Sequence, residues 1–325
     1  MNTVLTTYRI KWLAMVTIVV LGCTPVLTQV VVPSERDRNF DYCFSVNGYE
    51  YDTLMMEPVS IAIDTRAGRI YVADGKADQI LTLSLQGIPQ KAVGRGNVKS
   101  PIGLAVDKAG NLYIAERDSS EVKIVDSKGE VSSLVIPAED GEKSSRPGRM
   151  IVDYDDNLYV VDKTSQRILI FDKERKLKLK IGEPGSNRGQ FRSLEDVAVD
   201  RQGRIYALDS EGTPVQVFDR KGKYIYRFGF KGDGMEDISL PSGIFTDQNG
   251  QVWIVDRGQH CLKVFDRSGT FLRKFGTYGT ENGKLFQPVD GDIDNFGRVY
   301  VLEAGAKRLQ AFALSRPYEP FVPAF

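Results

Sequence analysis

The sequence predicts an all-β chain in which one four-stranded unit is repeated six times, and three observations carry that expectation. The phrase NGQVWIVDRG (249–258) returns as AGRIYVADGK (67–76), AGNLYIAERD (109–118), DDNLYVVDKT (155–164), QGRIYALDSE (202–211) and FGRVYVLEAG (296–305). The aspartates that precede these phrases, Asp64, Asp107, Asp153, Asp200, Asp247 and Asp294, are 43, 46, 47, 47 and 47 residues apart. No segment after residue 33 sustains a helical period. A period in the forties with several short strands per unit is that of propeller blades, so the expected architecture is a six-bladed β-propeller of four-stranded antiparallel blades.

Within a unit the strands can be read directly. Unit two divides into GLAVD (103–107), LYIAE (112–116), VKIVD (122–126) and VSSLVI (131–136), with hairpin turns KAGN and SKGE between the outer pairs. Gly110, Gly203, Gly250 and Gly297 share the first turn slot, and Gly129, Gly222 and Gly269 share the second. Short hairpin loops need a residue at positive φ, which glycine supplies without steric cost. Unit three has Asp156 and Arg175 in those slots, so its turns are expected to differ. Tyr71, Tyr113, Tyr159, Tyr206, Trp253 and Tyr300 occupy one register of the second strand, where a large ring packs between neighbouring sheets.

The N-terminus reads differently. Arg9 and Lys11 precede the apolar run WLAMVTIVVL (12–21), which stops at Gly22 and Cys23. This is the pattern of an export signal. The segment VLGC (20–23) resembles a bacterial lipobox, which implies cleavage before Cys23 and acylation of its thiol. Residues 1–22 are then a signal peptide and 23–41 a tether, placing the protein in the cell envelope, lipid-anchored to a bacterial membrane. The alternatives are secretion or an uncleaved anchor from Trp12 to Val32, although Pro25 and Gln29 fall within that span. Only Cys43 and Cys261 remain, too few for a disulfide framework, and their places in different blades predict free thiols.

Lys plus Arg equals Asp plus Glu at 43 each, so no overall field favours nucleic acid. The most basic run, DKERKLKLK (172–180), alternates as a solvated outer strand does.

PIGLAVDKAGNLYIAE (101–116), VQVFDRKGKYIYRFG (215–229) and the connector GEPGSNRGQF (182–191) resemble the NHL repeat, from about Pro58 to Phe312. The resemblance implies a ligand site where the inter-blade links emerge beside the central channel. Unit six supplies three strands, and its tail SRPYEPFVPAF (315–325) is too rich in proline to be a fourth. YCFSVNG (42–48) resembles the fourth-strand ending FLRKFG (271–276), so an N-terminal strand is expected to close the last blade and leave a propeller of residues 42–314.

Two residues past each unit's leading position, mostly proline, stand Ser60, Gly103, Arg149, Asp196, Gly243 and Asp290. The NHL pattern usually has glycine there. Arg149, Asp196 and Asp290, with Glu195 and Asp292 beside them, are the candidate ligand-binding residues. Charges at a narrow channel mouth must pair or bind something to offset desolvation. Either they take a polar ligand or a hard cation, calcium being the cofactor that oxygen ligands suit, or Arg149 bridges Asp196 as a structural pair.

The acids ending the second strands (Asp74, Glu116, Asp162, Asp209, Asp256 and Glu303) recur in every unit and are expected to accept loop N–H bonds. The chain has a single histidine, His260, against the several that the related amidating and streptogramin lyases need. GFKGDG (229–234) looks like a phosphate loop but precedes no helix. The sequence therefore reads as a binding or scaffolding module for a protein, peptide or carbohydrate, with no catalytic residue assigned. The alternative is a calcium-assisted hydrolase or lyase at the channel mouth.

Overall fold

The structure, a computed structural model, describes residues 40–48, 54–93, 96–138 and 144–314; Cys23, the export signal, the chain up to residue 39 and the tail 315–325 lie outside them. Strand β1 (Phe40–Val46) is followed by blade one, β2 (Pro58–Asp64), β3 (Arg69–Asp74) and β4 (Gln79–Ser84). Blade two is β5 (Pro101–Val106), β6 (Leu112–Glu116), β7 (Glu121–Val125) and β8 (Val131–Val135). Blade three is β9 (Pro147–Val152), β10 (Leu158–Asp162), β11 (Arg167–Phe171) and β12 (Leu177–Ile181). Blade four is β13 (Leu194–Val199), β14 (Ile205–Asp209), β15 (Val215–Phe218) and β16 (Tyr224–Phe228). Blade five is β17 (Pro241–Thr246), β18 (Val252–Asp256), β19 (Cys261–Phe265) and β20 (Phe271–Phe275). Blade six is β21 (Pro288–Ile293), β22 (Val299–Glu303) and β23 (Arg308–Leu314), completed by β1.

The first strands touch in sequence around the axis, and β2 meets β21 to close the ring. Each sheet is antiparallel, as the repeat predicted, and β1 pairs with β23 as the fourth strand of the last blade. That strand is Phe40–Val46, two residues earlier than the sequence pattern placed it. The shift has an apolar cause: the Phe40 ring packs edge-on against Trp253 at 5.5 Å and against Phe275 at 4.8 Å. Blade one has three regular strands among the described residues. Its outer edge is marked only by the bridges Leu83–Pro89 and Ile80–Val93, because Pro89 has no N–H to donate.

The core is a ring of layers rather than one mass. Six apolar clusters each lie between two adjacent blades, and each contains one of the six recurring second-strand aromatics. The tyrosines have a polar task as well. The hydroxyls of Tyr113, Tyr159, Tyr206 and Tyr300 donate to Asp107, Asp153, Asp200 and Asp294 at 2.9–3.1 Å. The other oxygen of each carboxylate caps the first-hairpin turn, as Asp200 does for the N–H groups of Gln202 and Arg204. Ring and acid therefore recur as a pair because a buried phenol and a buried carboxylate satisfy each other.

The turns of blade three are not different after all. Asp156 and Arg175 adopt the same left-handed conformation as the glycines elsewhere, at φ 68° and 61°. The strain at Arg175 is offset by its side chain, which reaches blade two to donate to the Tyr113 hydroxyl at 2.7 Å and to Asp107 at 3.2 Å. Cys43 and Cys261 are free, the first exposed on β1 and the second buried on β19.

In each blade the first and third strands run from the face that carries the inter-blade links, here the link face, to the face that carries the hairpins, the turn face.

Candidate functional site

In five blades the pairing of first and second strands slips by one residue immediately before the slot position, as between Pro58 and Ser60 or between Pro288 and Asp290. Such a bulge re-aims the next side chain. At the slot it puts that side chain against the following blade. The Ser60 hydroxyl accepts the Leu104 N–H at 3.2 Å, Asp196 accepts that of Ile244 at 3.0 Å, and Asp290 accepts that of Ile61 at 2.9 Å. Each polar slot residue thus staples its blade to the next.

Where the slot is glycine, backbone geometry is the reason. A Cβ on Gly103 would lie 2.1 Å from the Gly148 carbonyl oxygen, and one on Gly243 would lie 3.0 Å from an Asp290 carboxylate oxygen. Gly103→Ala is expected to cost about 1–3 kcal/mol in urea denaturation, because backbone rather than a movable side chain must shift. Gly243→Ala should cost less. An alanine at 103 that leaves stability unchanged would remove this explanation.

Arg149 behaves differently from the other slot residues. Its Nη2 donates to the carbonyls of Val59 in blade one, at 2.8 Å, and Val289 in blade six, at 2.9 Å. Its Nη1 forms an ion pair with Asp290 and lies 4.0 Å from Asp196. Asp290 belongs to the blade opposite, so the guanidinium crosses the channel. The bridge expected between Arg149 and its neighbour Asp196 is therefore the weaker of its two pairs. The long arginine stem spans the narrow ring, whereas Asp196 is held back by the N–H groups of Val197 and Ile244. Burial would lower the Arg149 pKa, but Asp290 and Asp196 outweigh it and hold the pKa above its ordinary value. Burial dominates at Asp196, with Asp290 adding repulsion, and pushes its carboxyl upward against the pull of Arg149.

The other two candidates separate from this trio. Asp292 lies two residues deeper in the channel, takes the Ile293 N–H at 2.8 Å, and makes no ion pair among the described residues. Its pKa is pushed up to about 7, first by burial and then by Asp290 and Asp294. Glu195 turns away to Lys163 at 2.8 Å and to the hydroxyls of Ser193 and Ser210. Burial opposes its charge, but these partners hold its carboxyl below the usual range. His260 accepts the Gln287 N–H at Nδ1, 2.9 Å away, and rests against Tyr278 and Phe286.

Among the described residues no cluster of three or more His, Cys, Asp or Glu side chains is placed to hold a metal. Asp196 and Asp290 share the Arg149 guanidinium, whose charge competes with a cation at those two carboxylates.

A cavity of about 380 Å³ follows the axis. It runs from Ser60, Arg149, Asp196 and Asp290 at one end to the first-hairpin turns at the other, where Arg66, Lys108, Tyr154 and Asn295 are exposed. The slot residues thus close off its link-face end, the end where the sequence placed a ligand.

The link face is the product of the acids that end the second strands. Asp209 takes four N–H groups, those of Arg192, Ser193, Glu211 and Gly212, and Asp74 takes those of Met56, Glu57 and Ala77. These bonds pin the links to the blade ends. Phe191, Ile238 and Leu285 point inward from three links and are fully buried. From the same segments Phe230, Met235 and Tyr278 point outward and are 78%, 70% and 65% exposed. Leu240, Leu54 and Met56 join them on that face. GFKGDG is the first half of one such link, and its Phe230 was the residue worth reading there.

Residues 239–265 match the NHL repeat family, and residues 145–216 match a family described as 6-bladed beta-propeller. Together with the six sheets around one axis, these matches decide what the molecule is. The chain is a six-bladed β-propeller, with an NHL repeat in its fifth blade. No curated protein matches it significantly in sequence. Among solved structures the propeller is similar to virginiamycin B lyase from Staphylococcus aureus, with 15% identity over 86% of this chain and 90% of that one and a TM-score of 0.59. It is also similar to a gluconolactonase from Xanthomonas campestris, with 16% identity over 80% and 86% and a TM-score of 0.61. A protein of unknown function from Bacteroides thetaiotaomicron aligns at 16% identity over 87% and 73%, with a TM-score of 0.64. At such identities the likeness concerns the fold alone.

Proposed function

We propose that this NHL-type propeller is an envelope-tethered scaffold, lipid-anchored through Cys23, that binds a protein partner on its link face. The observation that carries this reading is the set of large apolar side chains held outward by tightly bonded links, Phe230 and Met235 above all. Large exposed apolar side chains on a rigid frame are what protein interfaces are built from. The axial charges, by contrast, are engaged in joining blades.

Phe230→Ser, Met235→Ser and Tyr278→Ser combined should weaken recovery of the partner from solubilised envelopes by about tenfold or more, since a few central residues dominate such interfaces. The variant should melt with the parent, because all three side chains are exposed. Undiminished recovery of the same partner would move the site elsewhere.

The cavity supports a second reading, a calcium-assisted hydrolase or lyase, because a carboxyl titrating near 7 suits general-base work. A thermal-shift screen against calcium, sugars, peptides and cell-wall fragments separates the two. A calcium shift lost in Asp292→Asn, together with lactone or ester hydrolysis, would replace the scaffold by the enzyme.

A further inference from the structure

The charge balance of the whole chain conceals a segregation. Of the four hairpin turns on the turn face of blades three and four, 172–176, 200–204 and 219–223 carry eight Lys and Arg against four Asp and Glu, while 153–157 carries Asp153, Asp155 and Asp156 and no cation. Turn 219–223 packs against β12, with Gly222 beside Leu179 and Ile181, so these turns form one surface. Most of the acids sit low: Asp153, Asp172, Asp200 and Asp219 accept backbone N–H groups of their own turns, whereas Asp155 and Glu174 are exposed and Glu174 pairs with Lys173 at 3.7 Å. The cations stand clear. Lys173, Lys176, Arg201, Arg220, Lys221 and Lys223 are all exposed, and Lys176, Lys221 and Lys223 make no ion pair among the described residues.

A second, independent observation concerns the same face. Phe40 pairs with Leu314 at the end of β23, and Phe312 lies opposite Val299, just after the 295–298 turn. The chain therefore enters the propeller on the turn face, and the apolar run 12–21 precedes that entry point in sequence.

We propose that the turn face of blades three and four binds an anionic phospholipid surface, so that the propeller lies with its hairpins toward the bilayer and its link face directed outward. The basic run 172–180 then has a role beyond solvation, since clustered lysines near a membrane are drawn to acidic headgroups over about a Debye length. The orientation does not depend on what the link face binds, and the experiment below reads the lipid alone.

Protein beginning at Thr24, which lacks both the apolar run 12–21 and Cys23 but keeps the whole propeller, is sedimented with vesicles of phosphatidylglycerol and phosphatidylcholine, and with phosphatidylcholine alone. Binding to the anionic vesicles should be about tenfold stronger and should fall steeply between 0.1 and about 0.5 M salt. Lys176→Glu, Lys221→Glu and Lys223→Glu combined should abolish that difference. The same change of charge on the link face, Lys231→Glu, Arg257→Glu and Lys284→Glu, should leave it intact. If the glutamates disturb folding, glutamines at the three turn positions should still reduce the difference. Binding that is indifferent to lipid charge, lost equally in both variants, or shown toward single-stranded nucleic acid but not vesicles would overturn the proposal.

Discussion

Arg149→Met is expected to destabilise the propeller by about 3–5 kcal/mol, the range for removing one partner of a buried charge pair. The substitution keeps the apolar stem but takes away the charge that faces Asp290 and Asp196, together with two hydrogen bonds to the carbonyls of Val59 and Val289. Three blades lose a common tie at once. Thermal or urea denaturation across pH 5–8 checks both the size and its cause. Burial raises the folded-state pKa of Asp196 and pushes that of Asp292 from the ordinary carboxylate range up to about 7. A carboxyl raised on folding contributes stability that is complete below its unfolded pKa and lost as pH climbs through its folded one. Both proteins should therefore gain stability from these groups as pH falls from 8 to 5. The variant should gain more, because Asp196 without Arg149 is pushed higher still. The gap between them should narrow in acid, and a gap independent of pH would mean that packing rather than charge explains the loss.

A chain beginning at Asn47 should not form a soluble closed ring. Without β1, strand β23 presents a row of unpaired backbone groups, and Phe312, Trp253 and Phe275 lose their aromatic neighbours from that strand. Exposed edges of this kind aggregate. Size-exclusion chromatography should show the truncated chain as aggregate or expanded monomer where the parent elutes as a compact species. Phe40→Ala, which keeps the backbone pairing, should stay soluble and melt lower by several degrees, as lost aromatic burial of a few kcal/mol requires. A truncated chain that melts with the parent would show that the ring does not need this strand.

Much of the fold was legible because each blade solves the same local problems with the same residues. Glycine marks the hairpins, the second-strand aromatic marks the layer between blades, and Asp74 or Asp209 marks a link that needs its N–H groups met. Blade three shows where that reading fails. Asp156 and Arg175 were expected to alter the turns, yet a side-chain bond to the next blade holds Arg175 in a glycine conformation. Such compensation comes from residues some sixty positions away, which no local pattern contains. The sequence pointed to the link face but not to its outward apolar side chains. Phe191 recurs as the buried Ile238 and Leu285 late in the links, whereas Phe230 stands early in its link, where the others have Glu183 and Thr277, and is 78% exposed.

The candidate site divides along the same line. The sequence by itself determined that Arg149, Asp196 and Asp290 share a register beside the axis, because a repeat of fixed length carries every copy of a position to the same height. Tertiary structure alone decided their partners. A ring places blade three opposite blade six, so Arg149 meets Asp290 across the channel more closely than it meets Asp196 beside it. Separation along the chain is periodic and visible in sequence, whereas separation across a closed ring depends on its curvature and on the reach of each side chain.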